Sequence, residues 1–144
     1  MPEYDLTQIQ PLVRTAKYYE TDQMAVVHHS NYIRWFEEAR VDYLDQIGLG
    51  YDIIEQAGIY SPVLSVNCEY KSAVRFNEKV IVIAKLVFFD GIKMNLEYTV
   101  LDEATKKIRV TGSSKHCFVT TEFKPISLKK QNKEMYDILV NWVK

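Results

Sequence analysis

The sequence predicts an α+β domain in which one long amphipathic helix is followed by an antiparallel sheet. Apolar residues recur at helical spacing between Ser30 and Ile47. Beyond Val63 the period falls to two, the signature of strands with two different faces. An Asp90-Gly91 step divides two runs rich in Val, Ile, Leu and Phe, as a hairpin requires. A chain of 144 residues supports one core, so residues 1–144 read as a single domain.

Taken in order, Leu12 to Tyr19 reads as a first strand, and Glu20 to His29 has no clear period. The helix then places Tyr32, Phe36, Ala39 and Tyr43 on one face, with Trp35, Leu44 and Ile47 widening the stripe. Ser30 or Asn31 can cap its start by accepting from free backbone N–H groups. Glu37 and Glu38 favour the positive end of the dipole, and Gly48 suits a left-handed cap at the other end. On this helix both glutamates read as solvated or salt-bridged rather than catalytic.

Val63 to Tyr70 alternates, with Leu64, Val66, Cys68 and Tyr70 on one side. Lys79 to Phe89 is apolar enough for a strand buried on both faces or a subunit contact. Asp90-Gly91 predicts a two-residue turn with positive φ at both positions. Ile92 to Val100 and Lys107 to Val119 supply two further strands, and Met135, Ile138, Leu139 and Trp142 predict a short C-terminal helix. One helix cannot cover a five-stranded sheet and 10 tyrosines, so a second copy of the chain is expected to close the exposed edges and faces.

Composition narrows the function. Eighteen Lys and Arg against 19 Asp and Glu leave a net charge of −1, without the basic footprint of a nucleic-acid binder. That balance still permits a local basic patch for a small phosphorylated ligand. Cys68 and Cys117 lack metal-binding spacing and read as buried free thiols. Met1 to Gln10 has no apolar core of a signal peptide, and no apolar run approaches bilayer length. A cytoplasmic protein without membrane insertion is therefore expected.

Several chemistries find no support in the pattern. There is no GxSxG elbow, P-loop or GxGxxG. His28 and His29 are adjacent, so their rings are expected to diverge, and no metal site is expected there. His116 and Cys117 fall on opposite faces of a strand, which disfavours a dyad. What remains is Glu20-Thr21-Asp22, just ahead of the helix. It reads either as a polar loop with a solvated acid, or as half of an acyl-transfer site. A helix N-terminus offers free N–H groups that can stabilise an oxyanion. A carboxylate beside it can serve as general base or nucleophile.

The run Tyr19-Glu20-Thr21-Asp22-Gln23-Met24-Ala25-Val26-Val27-His28-His29-Ser30-Asn31-Tyr32, continuing to Phe36-Glu37-Glu38-Ala39-Arg40, resembles the signature of the 4-hydroxybenzoyl-CoA thioesterase family. About ten positions in roughly twenty match, far more than a three-residue motif offers. Tyr70 to Phe76 and Lys124-Pro125-Ile126 extend the resemblance towards the C-terminus. It implies a hotdog fold, a long central helix wrapped by a five-stranded antiparallel sheet. It further implies hydrolysis of an acyl-CoA to free acid and CoA, with no cofactor.

By the same resemblance, Asp22 takes the place of the catalytic aspartate. His29 takes the place whose backbone N–H polarises the thioester carbonyl, its imidazole being incidental. Val27 and His28 would line the path to the acyl group. Asn31 and Tyr32 match the pair that opens the helix, in a packing and positioning role beside the substrate. Arg75 and Lys71 would meet CoA phosphates at the pocket mouth. A homodimer with one continuous sheet and active sites at the subunit interface is implied, and a homotetramer by pairing of dimers. The family usually has glycine at the position of Ala25, a departure that bears on the shape of the acyl pocket. Two other readings stay open: a non-catalytic acyl-CoA-binding hotdog module, and a thioesterase whose carrier is acyl-ACP.

Overall fold

The computed structural model describes residues 9–143. Strand β1 (Leu12–Thr15) leads through a short 3-10 turn (Tyr18–Glu20) and a loop into helix α1 (His29–Gln46). Helix α2 (Tyr51–Gln56) and the two-residue β2 (Ile59–Tyr60) follow. Then come β3 (Val63–Tyr70), β4 (Lys79–Phe89), β5 (Lys93–Asp102), β6 (Ile108–Cys117) and the short β7 (Val119–Thr120). Helices α3 (Leu128–Gln131) and α4 (Lys133–Trp142) close the chain.

The main sheet is antiparallel in the order β1-β4-β5-β6-β3, and β2 pairs separately with β7. Helix α1 lies on its inner face and buries Tyr32, Trp35, Phe36, Ala39, Tyr43 and Leu44. Phe36 stacks on Tyr98 of β5, with ring centroids 4.5 Å apart. Gly112 of β6 makes room for this contact, because a Cβ there would collide with the Phe36 ring and the Asn67 carbonyl. Strand β4 is buried on both faces over Val80 to Ile83, while Lys85 and Phe88 further along are exposed. Val80, Val82 and Leu86 join the main core, while Ile81 and Ile83 pack with Leu101 and Ile108 on the outer face.

Several expectations need correction. The first strand ends at Thr15, because Lys17 to Glu20 fold into the 3-10 turn. The residue capping α1 is His28, whose Nδ1 accepts from the Ser30 N–H at 3.2 Å. Neither Ser30 nor Asn31 caps the helix, since both already lie within it. The β4–β5 connection spans residues 90–92, and only Gly91 has positive φ. There the Asp90 carboxylate accepts from the Ile92 and Lys93 N–H groups, which replaces the expected two-residue turn. Both cysteines are free, as expected, but half-buried rather than buried.

Strand β3 spans the predicted residues but shows no alternation in burial: it stands at the sheet edge, Val63, Leu64, Val66 and Tyr70 are exposed, and only Cys68 is half-buried. No helix among the described residues is long and apolar enough to cross a membrane.

Candidate functional site

The loop ahead of α1 is fixed at three points. Its turn holds itself: the Asp22 N–H donates to the Val26 carbonyl at 2.8 Å, and the Ala25 N–H donates to the Asp22 carbonyl at 3.0 Å. One carboxylate oxygen of Asp22, Oδ1, accepts from the Met24 N–H at 2.8 Å. The other, Oδ2, has no partner among the described residues. At the far side, the Val27 N–H donates to the Val74 carbonyl at 2.7 Å, and Val26 bridges Arg75. This tie brings the Val74–Arg75 segment beside the loop.

The third point is Glu20. Its backbone carbonyl accepts from the His28 N–H and from Asn31 Nδ2, both at 2.8 Å. Its carboxylate is buried, at 3% exposure, and meets three donors. Oε2 accepts from the Arg14 guanidinium at 2.6 Å and Trp35 Nε1 at 2.7 Å, and Oε1 from the Lys17 N–H at 2.8 Å. Burial alone would raise this carboxyl's pKa; the bonds from Trp35, the Lys17 N–H and Arg14 outweigh it and hold the pKa below the usual value. Arg14 lies over the Trp35 ring at 5.5 Å and also pairs with Glu38 at 3.4 Å.

Helix α1 begins at His29, and the His29 N–H has no acceptor among the described residues, as the first turn of a helix dictates. The Tyr70 hydroxyl donates to the His29 carbonyl at 3.1 Å, tying β3 to the helix start. The imidazoles of His28 and His29 stack at 4.1 Å instead of diverging, because the capping geometry folds the His28 ring back over the first turn.

Of the other residues singled out in the sequence, Val27, His28, Asn31, Tyr32 and Arg75 contact the loop, the helix start or the segment tied to them, whereas Lys71 bonds to Glu69 and Arg109 instead. Val27 is buried and His28 half-buried. Asn31 spends its amide on Glu20 and on Arg34, at 3.1 Å. Tyr32 is buried, its hydroxyl accepts from the Val74 N–H at 3.4 Å, and its ring packs edge-on against Trp35 and Tyr70. Burial pushes the Tyr32 phenol pKa up, and neighbouring Cys68 and Asp22 add to the shift. Arg75 is exposed, and its guanidinium has no ion-pair partner among the described residues. Lys71, also exposed, pairs with Glu69 at 3.1 Å, a contact that solvent keeps weak. Ala25 adopts φ +63, so the left-handed conformation that favours glycine is present here with an alanine.

A second polar cluster lies inside the core. His116 is fully buried, and its Nε2 is 2.6 Å from Ser114 Oγ, which is in turn 2.6 Å from the Tyr98 hydroxyl. Buried Arg40 lies near; burial opposes its charge, but the neighbouring Tyr98 and Tyr51 outweigh this and raise its pKa, and it pairs with Glu37 at 3.8 Å. Burial, with the Arg40 charge nearby, lowers the His116 pKa to about 4, so the imidazole is neutral. Strand alternation disfavours a dyad of His116 with Cys117 but gives no sign of this chain through Ser114 and Tyr98.

A long helix lying on the inner face of a five-stranded antiparallel sheet defines a hotdog-fold protein. The chain belongs to the Thioesterase-like superfamily, whose model matches residues 17–139. That is one level broader than the 4-hydroxybenzoyl-CoA family its motif resembles. The Bacillus subtilis protein named "Putative acyl-CoA thioesterase YneP" is 33% identical over 115 residues, 79% of this chain and 83% of its own. The DHNA-CoA thioesterase of Staphylococcus aureus superposes with a TM-score of 0.86 at 32% identity, covering 91% of this chain and 88% of its own. The 1,4-dihydroxy-2-naphthoyl-CoA thioesterase Slr0204 of Synechocystis shares the fold, with a TM-score of 0.80 over 91% of this chain and 95% of its own, at 14% identity.

Proposed function

We propose that the protein hydrolyses an acyl-CoA thioester to a free acid and CoA. The observation that carries this reading is the pairing of a helix N–H lacking an acceptor with an aspartate that keeps one carboxylate oxygen free, in a chain of thioesterase ancestry. The His29 N–H donates to the carbonyl oxygen as it gains negative charge, a contact whose loss costs about 2.7–4 kcal/mol in comparable sites. Asp22 then either takes a proton from the attacking water or attacks the carbonyl itself to form a mixed anhydride. On either route the C–S bond breaks and the thiolate of CoA takes up a proton; on the second, water then cleaves the anhydride, releasing the acid and restoring the Asp22 carboxylate. No step calls for a cofactor or a metal.

Val27 and His28 border the acyl path in this reading, and Asn31 and Tyr32 keep the helix start in register with the loop. Arg75 and Lys71 attract the CoA phosphates. The exposed apolar edge at Val63, Leu64 and Val66 supports pairing of β3 with a second copy, giving a homodimer or, by pairing of dimers, a homotetramer. The reading sets the protein in the cytoplasm, where its substrate would be an acyl-CoA. Likeness to the Staphylococcus aureus enzyme supports including an aromatic acyl group among the first substrates tried.

Thiol release from acetyl- to palmitoyl-CoA, benzoyl-CoA, 1,4-dihydroxy-2-naphthoyl-CoA and acyl-ACP tests the reading. Turnover of a CoA ester is the expected result. Turnover of acyl-ACP alone moves the activity to the other carrier. Binding of acyl-CoA without turnover leaves a binding module instead. Single turnover in oxygen-18 water can establish the second route, because label enters the Asp22 carboxylate only when water cleaves an anhydride at that carbon.

A further inference from the structure

We propose that Glu20 is a positioning residue that fixes the Asp22 carboxylate against the helix N-terminus, an inference that rests on the thioesterase reading above. Asp22's own hydrogen bonds stay within residues 22–26, so they shape the turn without orienting it against α1. Glu20 supplies that orientation from both of its ends. Its carboxylate is held by Trp35 of α1 and Arg14 of β1, and its carbonyl by the His28 N–H and Asn31 Nδ2 at the helix start. Two residues along the chain stands Asp22, and one residue beyond His28 stands the free N–H of His29. The two proposed catalytic groups therefore share one anchor.

A solvated loop glutamate would contribute little, and a buried carboxylate is costly unless every oxygen is satisfied. Here three donors meet it, from β1, from the 3-10 turn's own start and from the second turn of α1. Removing one donor leaves a buried charge short of a partner and lets the turn shift. Sub-ångström to ångström displacement of a reacting group lowers turnover more than it lowers binding.

The test uses two variants, each made in the wild-type and Asp22→Asn backgrounds and assayed well below its melting temperature. Glu20→Gln keeps the shape and removes the charge, and Trp35→Phe keeps the ring and removes one donor. In the wild-type background each should lower kcat at least about tenfold with KM within about threefold. In the Asp22→Asn background the same changes should cost less than about threefold, since a positioning residue acts only through the group it positions. Equal losses in both backgrounds, or an unchanged kcat in a folded Glu20→Gln protein, overturn the proposal. Should Glu20→Gln not fold, Trp35→Phe decides by the same thresholds.

Amide hydrogen exchange over residues 21–29 gives a readout independent of turnover. It should quicken at least about tenfold in Trp35→Phe while β4 and β5 stay unchanged; unaltered exchange in the loop overturns the proposal. A wild-type protein without turnover refutes the thioesterase reading by itself, and the exchange result still decides whether Glu20 sets the loop.

Discussion

The neutral imidazole of His116 makes the stability of this fold fall on mild acidification. In the unfolded chain His116 titrates at its ordinary value of 6.5, whereas burial holds it to about 4 in the fold. Between those values the unfolded state binds the extra proton, so acid favours unfolding and stability rises with pH. At about 1.4 kcal/mol per unit over the roughly 1.5 units from pH 6.5 to pH 5, the expected loss is about 2 kcal/mol. The lowered pKa values of Glu20 and Asp102, the latter about 2, put their own contributions below that window. Urea unfolding at pH 7 and pH 5, at one fixed protein concentration, measures the loss. His116→Leu should flatten the dependence, and its other cost is modest because Ser114 keeps the Tyr98 hydroxyl as a partner. Equal pH dependence in the wild type and His116→Leu would refute the argument.

Three further outcomes follow from single positions. Ala25→Gly should raise stability by up to about 1 kcal/mol, since relief of the left-handed alanine exceeds the entropy regained by the unfolded chain; urea unfolding reads it, and a loss of stability would contradict it. Gly112→Ala should destabilise by about 1–3 kcal/mol, because the new methyl displaces the Phe36 ring from Tyr98; a thermal melt that does not move would show that the site has room to spare. Arg75→Ala should raise KM for acyl-CoA severalfold and leave kcat unchanged, with the rise shrinking at high salt. A steady-state titration at two ionic strengths checks this, and an equal fall in kcat would assign Arg75 to the reaction itself.

The elements with strong periodicity were legible in the sequence. Strands β3 and β4 begin and end at the predicted residues, and α1 departs from its predicted span by one residue at each end. Periodicity cannot tell an edge strand from a covered one, so the exposure of β3 emerged only from the sheet order. The capping role of His28 was hidden because histidine seldom caps a helix, whereas Ser30 and Asn31 are the residue types that do. The short α2, β2 and β7 carry too few residues to show a period at all.

In the site, the tie between the Asp22 loop and the Val74–Arg75 segment, through Val26 and Val27, carried no sequence signal because it joins residues far apart in the chain. Glu20 was read only as a polar neighbour of Asp22. A signal for it existed in Trp35, which lies on the core stripe and brings an indole N–H that needs an acceptor once buried. Sequence alone did not say which acid would answer it.

If Asp22 carries acyl-CoA hydrolysis at the start of α1, its amide variant loses the reaction while keeping the fold. Steady-state thiol release by Asp22→Asn, set beside the wild type on the best acyl-CoA of the panel, tests it most directly. The expected result is a fall in kcat of at least about a hundredfold with the fold and KM largely kept, the scale of a positioned base. An Asp22→Asn protein that turns over at the wild-type rate would contradict it.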